Sequence, residues 1–280
     1  MNAAIRNIII IGVVLLTILL VKLFLLDSCR IKSNTMCDTL QSGDFVLVNK
    51  VKSKNNPGLN RLVLYKSPLR QDANRPPLFL GRCLGMSGQT IQMGEDGFRV
   101  NGRLISNAPM MQQTFRIRKD IKEYLLSTMD LLHIPIRDAR EDSLYLTLRL
   151  SLREKETLSE NLSQVVNLEV VNEGNLSYEI VIPRKNLALD INPTMLTVCS
   201  EAIMNEAGDA AVIKDNKLYI NGKEKRIFIF RHNYYWIVSE NEKDGIDSRY
   251  LGLIPEDHIV GNVWFCWFSP DRKRFFSFIE

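Results

Sequence analysis

The sequence predicts a mainly β chain: an antiparallel β-rich body, a small inserted α+β subdomain and one N-terminal transmembrane helix. Three observations carry this. Extended apolar runs lead twice into an Asn-Gly pair, at Asn101-Gly102 and Asn221-Gly222, and Asn-Gly between extended runs is the strongest short hairpin signal. Between Arg116 and Asn192 the texture changes and helical spacing appears. Ahead of everything lies an apolar run from Ile8 to Leu26, 19 residues of which 16 are apolar.

That first run would rise about 28 Å as a helix, enough to cross a hydrocarbon core. Lys22 lies one turn from its end, where a long stem snorkels to the headgroups. Two alternatives stand beside an anchor. A cleaved signal peptide needs a small-x-small site, and none follows the run. A lipoprotein signal ending at Cys29 needs small residues before the cysteine, and Asp27 is a poor fit. The segment 1–29 therefore reads as an uncleaved anchor. Arg6 before the run and Arg30 and Lys32 after it leave the orientation open by charge alone.

The body is assigned to 30–115 and 193–280. Its strands are read at Asp44–Asn49, Arg61–Tyr65, Phe98–Val100, Lys217–Ile220, Ile227–Phe230 and Tyr234–Val238, all rich in β-branched or aromatic residues. The insertion, 116–192, is read as helix at Asp120–Leu132 and Glu154–Val165. Strands are read there at Leu144–Leu152, Leu168–Val171 and Tyr178–Ile182.

Composition sets outer limits. The 280 residues carry 36 Lys plus Arg against 32 Asp plus Glu, a net charge of +4, with 45% apolar residues. Wholesale disorder, collagen and a multi-span membrane protein are excluded. Nucleic acid is not an expected partner, because no basic run is interleaved with aromatics. Cys29, Cys37, Cys83, Cys199 and Cys266 form no C-x-x-C pair, and His133, His232 and His258 are far apart. No metal site or other cofactor is read from them.

The informative stretches are three. One runs Ser33-Asn34-Thr35-Met36-Cys37-Asp38-Thr39-Leu40 on to Gly43-Asp44-Phe45-Val46-Leu47-Val48. The second is Leu80-Gly81-Arg82-Cys83-Leu84-Gly85-Met86-Ser87-Gly88. The third is Asp247-Ser248-Arg249-Tyr250-Leu251-Gly252, running on to Gly261. With the N-terminal apolar run, and in this order, they resemble bacterial signal peptidase I (leader peptidase). That resemblance implies a β-rich body with a smaller inserted cap, and a membrane-anchored serine endopeptidase of signal-peptide processing. It places the soluble part outside the cytoplasmic membrane.

The resemblance also implies a serine–lysine dyad: a hydroxyl attacks the scissile carbonyl and a neutral, desolvated lysine takes its proton. Here the chain departs. The nucleophile position, before the Met of the first block, is Thr35, whose extra methyl stiffens χ1. Ser33 matches the serine that contributes to the oxyanion hole. The base position, before Arg82, is Gly81, which carries no proton acceptor. The serine that positions the lysine is replaced by Gly245, two residues before Asp247. Where the family has Gly-Asp-Asn-Arg, this chain has Ser239-Glu240-Asn241-Glu242. Arg82, Glu240, Asp247 and Arg249 read as structural, with Glu240 keeping a carboxylate for Arg82. Loss of a general base costs about 10²–10⁴ in rate.

The expectation is thus a catalytically impaired signal peptidase I homologue at the lipid bilayer, binding signal peptides or partnering an active signal peptidase. The alternative is an active enzyme using Thr35 with a base from elsewhere. Lys66 and Lys50 are the nearest candidates, though each reads as a surface lysine at a strand end. A third reading is a membrane-tethered β domain with an unrelated binding role.

Overall fold

A computed structural model describes residues 7, 9–14, 16–17, 26–36, 39–50, 56–72, 74–94, 97–105, 112–137, 139–162, 168–171, 178–241 and 245–279. Most of the predicted membrane run lies outside these. Residues 9–14 and 16–17 are helical, and Ile9, Ile10, Ile11, Val13, Val14 and Leu16 are exposed. Among the described residues no helix is long and apolar enough to cross a membrane. Leu26, the last residue of the predicted span, already belongs to a strand.

The structure is mainly antiparallel β. The strands of the largest sheet are β1 (Leu26–Arg30), β2 (Phe45–Asn49), β3 (Leu62–Lys66), β4 (Leu78–Gly85), β5 (Tyr234–Val238), β6 (Ile254–Pro255), β7 (Ile259–Phe268) and β8 (Ser277–Phe278). Their order is β1-β2-β7-β3-β4-β5-β6, with β8 also on β7. Register follows burial. In β2, Val46 and Val48 face inward and are fully buried, while Phe45, Leu47 and Asn49 are half-buried. They pack with Met36, Leu40, Leu62 and Val263 beneath the loop that carries Thr35.

Both Asn-Gly hairpins form. Asn101 and Gly102 have φ of 49° and 76°, and Asn221 and Gly222 have 51° and 74°. Two consecutive left-handed residues match the twist of a two-residue hairpin. The first joins Gly97–Val100 to Arg103–Leu104; the second joins Lys217–Ile220 to Lys223–Lys225.

The segment 112–170 closes a core of its own. Gln112–Arg118 pairs with Tyr145–Ser151, and the helices Lys122–Leu131 and Leu152–Asn161 cover one face with Leu125, Met129 and Leu158. The second helix starts two residues earlier than the spacing predicts. Ser151 caps it: its hydroxyl accepts from Glu154 N while the Glu154 carboxylate accepts from Ser151 N. Tyr178–Val181 pairs instead with Thr90–Gly94, outside that core. Among the described residues, two α-helices lie outside the predicted ones: the short Ser248–Leu251 and the longer Pro193–Ala207. Asn192 caps the longer one by accepting from Met195 N at 2.8 Å, and Pro193 opens it.

Candidate functional site

The first two blocks meet around Arg82, and residues 239–241, just ahead of the third block and bonded to its Asp247, join them there. Thr35 and Met36 form a turn after β1. Met36 is fully buried, and its carbonyl accepts from Thr39 N at 3.0 Å and Leu40 N at 2.6 Å. That anchors the turn from below and leaves Thr35 half-buried beside an exposed Ser33. The two hydroxyls lie 3.1 Å apart. From the stretch just ahead of the third block, Asn241 N donates to the Thr35 carbonyl at 2.9 Å.

Beneath the turn sits a buried ion pair. Arg82 Nη2 donates to Glu240 Oε1 at 2.9 Å, and neither side chain is more than 8% exposed. Thr39, which sequence reasoning passed over, completes it. Its hydroxyl donates to Glu240 Oε1 at 2.5 Å and accepts from Arg82 Nη2 at 3.1 Å, and its backbone N–H reaches Glu240 Oε2. A buried carboxylate and guanidinium need these extra bonds to offset desolvation.

Asp247 is fully buried and held the same way. Arg249 grips it with Nε on Oδ1 at 3.0 Å and Nη2 on Oδ2 at 2.7 Å, and Ser239 donates to Oδ2 through both N–H and Oγ. Burial, with the Asp247 charge added, pushes the nearby Tyr65 hydroxyl well above its ordinary range, against the smaller pull of Arg249. That phenol stays protonated and donates to the Ile246 carbonyl at 3.3 Å.

The two glycines are more than missing side chains. Gly81 lies on β4 opposite Val63, with β5 on its other side. A Cβ there would meet Ile237 Cγ2 at 2.7 Å and the Val238 carbonyl oxygen at 3.1 Å. At Gly245 a Cβ would sit 1.6 Å from Ser239 Oγ and 2.5 Å from the Asn241 carbonyl oxygen. Ile237, which is fully buried, and Ser239 therefore occupy the space into which side chains at 81 and 245 would grow. Nothing in either glycine's own surroundings in sequence announces this; the β4–β5 pairing does so for Gly81, and the fold-back of residues 239–241 onto Gly245 does so there.

Among the described residues, the hydrogen-bond partner of Thr35 Oγ1 is Ser33 Oγ. A serine hydroxyl is no base near neutral pH. Lys50 pairs with Asp27 at 3.0 Å, and Lys66 is exposed at the end of β3. His258 faces the Ser67 carbonyl and His232 approaches Glu256. The described cysteines, Cys29, Cys83, Cys199 and Cys266, are free thiols. No described group of three or more His, Cys, Asp or Glu residues is arranged to hold a metal ion. Chemically, the site offers two hydroxyls over a buried, hydrogen-bonded charge network.

Comparison with known proteins places this arrangement. A family model described as "Signal peptidase, peptidase S26" matches residues 4–177 and 224–268. The chain belongs to the signal peptidase I family. The Signal peptidase I of Buchnera aphidicola subsp. Baizongia pistaciae is 21% identical over 274 residues, covering 93% of this chain and 76% of the relative. The Aquifex aeolicus Signal peptidase I is 20% identical over 257 residues, covering 91% and 81%. That of Haemophilus influenzae is 22% identical over 270 residues, covering 93% and 68%. For this family member, the matched regions contain the Thr35 turn, the Arg82–Glu240 pair and the Asp247–Arg249 pair alike.

Proposed function

We propose that this chain is a signal peptidase I homologue, held at a lipid bilayer, that binds extended signal peptides beside Thr35 without cutting them efficiently. One observation carries the reading: the position expected to supply the base is Gly81, and Ile237 Cγ2 lies 2.7 Å from where any side chain there would begin. A general base contributes about 10²–10⁴ in rate, and the hydroxyl at Thr35 faces another hydroxyl in its place.

Peptide capture is supported by the sheet. Among the described residues β1 is the last strand on its side, and it runs straight into Ile31–Thr35. An open strand edge takes an extended peptide through main-chain hydrogen bonds. Attachment to the bilayer is supported by the apolar N-terminal run and by an aromatic face built from β7, β8 and the loop between them. Trp264, Trp267, Phe268, Phe275, Phe276 and Phe278 are exposed there, alongside exposed Arg272 and Lys273. Trp267 Nε1 donates to Ser28 Oγ at 2.9 Å, which ties this face to β1. Tryptophan rings with a polar handle, beside apolar phenylalanine rings and basic neighbours, suit the headgroup region. In this reading the soluble part lies outside the cytoplasmic membrane, and an active signal peptidase in the same membrane is the natural functional partner.

The test uses the purified full chain in detergent micelles with a precursor carrying an Ala-x-Ala cleavage site. A fluorescein-labelled version of its signal peptide should bind with saturation, and no cleavage should exceed the buffer background. Cleavage that Thr35→Ala abolishes would overturn the reading and establish an active enzyme with another base.

A further inference from the structure

The inserted subdomain reaches the site through one buried cation. In the strand Tyr145–Ser151, Leu146, Leu148 and Leu150 face the subdomain's own core. Strand alternation puts Tyr145, Thr147 and Arg149 on the opposite face. Tyr145 and Thr147 are half-buried there, yet Arg149 is only 6% exposed. The reason is a contact with the body: Arg149 Nη1 donates to Asn241 Oδ1 at 2.9 Å, a bond buried from solvent. Asn241 in turn donates its backbone N–H to the Thr35 carbonyl at 2.9 Å.

The other end is equally tied. Arg149 N donates to the Arg137 carbonyl at 3.1 Å, and the Arg137 guanidinium grips both oxygens of Glu154 at 2.9 Å. Glu154 is the carboxylate of the Ser151 capping box. A continuous series of charge-assisted and backbone hydrogen bonds thus runs from the first turn of Leu152–Asn161 to the Thr35 turn. A guanidinium presents a planar fork of donors, so it holds an amide oxygen in one orientation.

We propose that Arg149 is a positioning residue through which the inserted subdomain sets the Thr35 turn, and with it the affinity of the site for an extended peptide. The first half stands on geometry alone. The second rests on the peptide-binding reading above.

The experiment is hydrogen–deuterium exchange on the full chain in micelles, without peptide, followed by anisotropy with the fluorescein-labelled signal peptide. Arg149→Met keeps the aliphatic stem and removes the donors. Exchange at the Asn241, Thr39 and Leu40 amides should rise about tenfold, since a buried acceptor loses its charged partner. Arg149→Lys, which keeps a donor and the charge, should retain most of the protection. Arg116→Ala, an exposed residue of the same sheet paired with Glu169, should leave it unchanged. Asn241→Ala removes the same bond from the body side and should raise exchange at Thr39 and Leu40 in the same direction. Unchanged exchange there in both Arg149→Met and Asn241→Ala would overturn the proposal. So would an equal rise throughout 112–170, which marks a residue that only holds its own subdomain. With the turn loosened, peptide affinity should fall about tenfold, the factor expected for the same lost bond. Equal affinity would overturn the second half. If the unaltered chain binds no peptide, the functional reading fails while the exchange result still decides Arg149.

Discussion

Replacing Gly81 tests whether the proposed base position is merely empty or walled off. The smallest perturbation is Gly81→Ala. Its Cβ would stand 2.7 Å from Ile237 Cγ2 and 3.1 Å from the Val238 oxygen, where carbon–carbon contacts are best at about 3.5–4.0 Å. Relieving that overlap by shifting a fully buried Ile237 costs about 1–3 kcal/mol. Gly81 does not have a positive φ, so the unfolded-state entropy gain of about 0.4–1 kcal/mol applies and opposes the cost. The net expectation is a loss of about 1–2 kcal/mol. With a urea slope of about 2 kcal/mol/M, the midpoint should fall by roughly half to one molar. Trp236, buried one position from Ile237, is a convenient fluorescence reporter. Adding Ile237→Ala should cost less in the Gly81→Ala background than alone, a coupling read from the double-mutant cycle. Gly81→Lys by itself should be destabilised and inactive. The smallest set worth assaying for cleavage is Thr35→Ser, Gly81→Lys and Ile237→Ala together. A Gly81→Ala protein as stable as its parent with Ile237 intact, or cleavage by Gly81→Lys alone, would refute the reasoning.

Other expectations follow from the same contacts. Gly245→Ser should destabilise by about 3 kcal/mol or more, at the upper end for overpacking, because Ser239 Oγ and the Asn241 carbonyl both obstruct it. Ser239→Gly should recover part of that in thermal melts; a double variant less stable than Gly245→Ser would contradict the shared volume. Arg82→Met should cost about 3–5 kcal/mol by leaving Glu240 buried without its cation, and Glu240→Gln in that background should return part of it. Alkaline stability has a definite sign. Burial pushes the Cys83 and Cys199 thiols from 9.0 up to about 12, and the Tyr235 hydroxyl from 10.0 up to about 12. The folded state therefore holds protons that the unfolded state releases. The contribution of these three groups should be fully present below pH 9 and be lost from there towards pH 12. Cys83→Ala should flatten that decline in melting temperature; an unchanged slope would show that the thiol does not contribute.

Local features were legible before any fold was known. Asn101-Gly102 and Asn221-Gly222 announce their hairpins because a left-handed φ is a property of those residues themselves. Alternating and helical spacing likewise placed Tyr145–Ser151 and Lys122–Leu131 within a residue or two. The Pro193–Ala207 helix carried an equally local signal in Asn192 and Pro193, and it was passed over inside a stretch read as β.

Family membership and the absence of a proton acceptor at residue 81 follow from the amino-acid sequence by itself, since both concern which atoms the chain contains and in what order. The tertiary structure alone decided what took the vacant space. Ile237 reaches Gly81 across the β4–β5 pairing, Ser239 folds back on Gly245, and Arg149 crosses from the insertion to Asn241. Arg82 and Glu240 are 158 residues apart and Arg149 and Asn241 are 92. Contacts at such separations are set by strand register and by how two cores are seated together, and neither is written in the spacing of neighbouring residues.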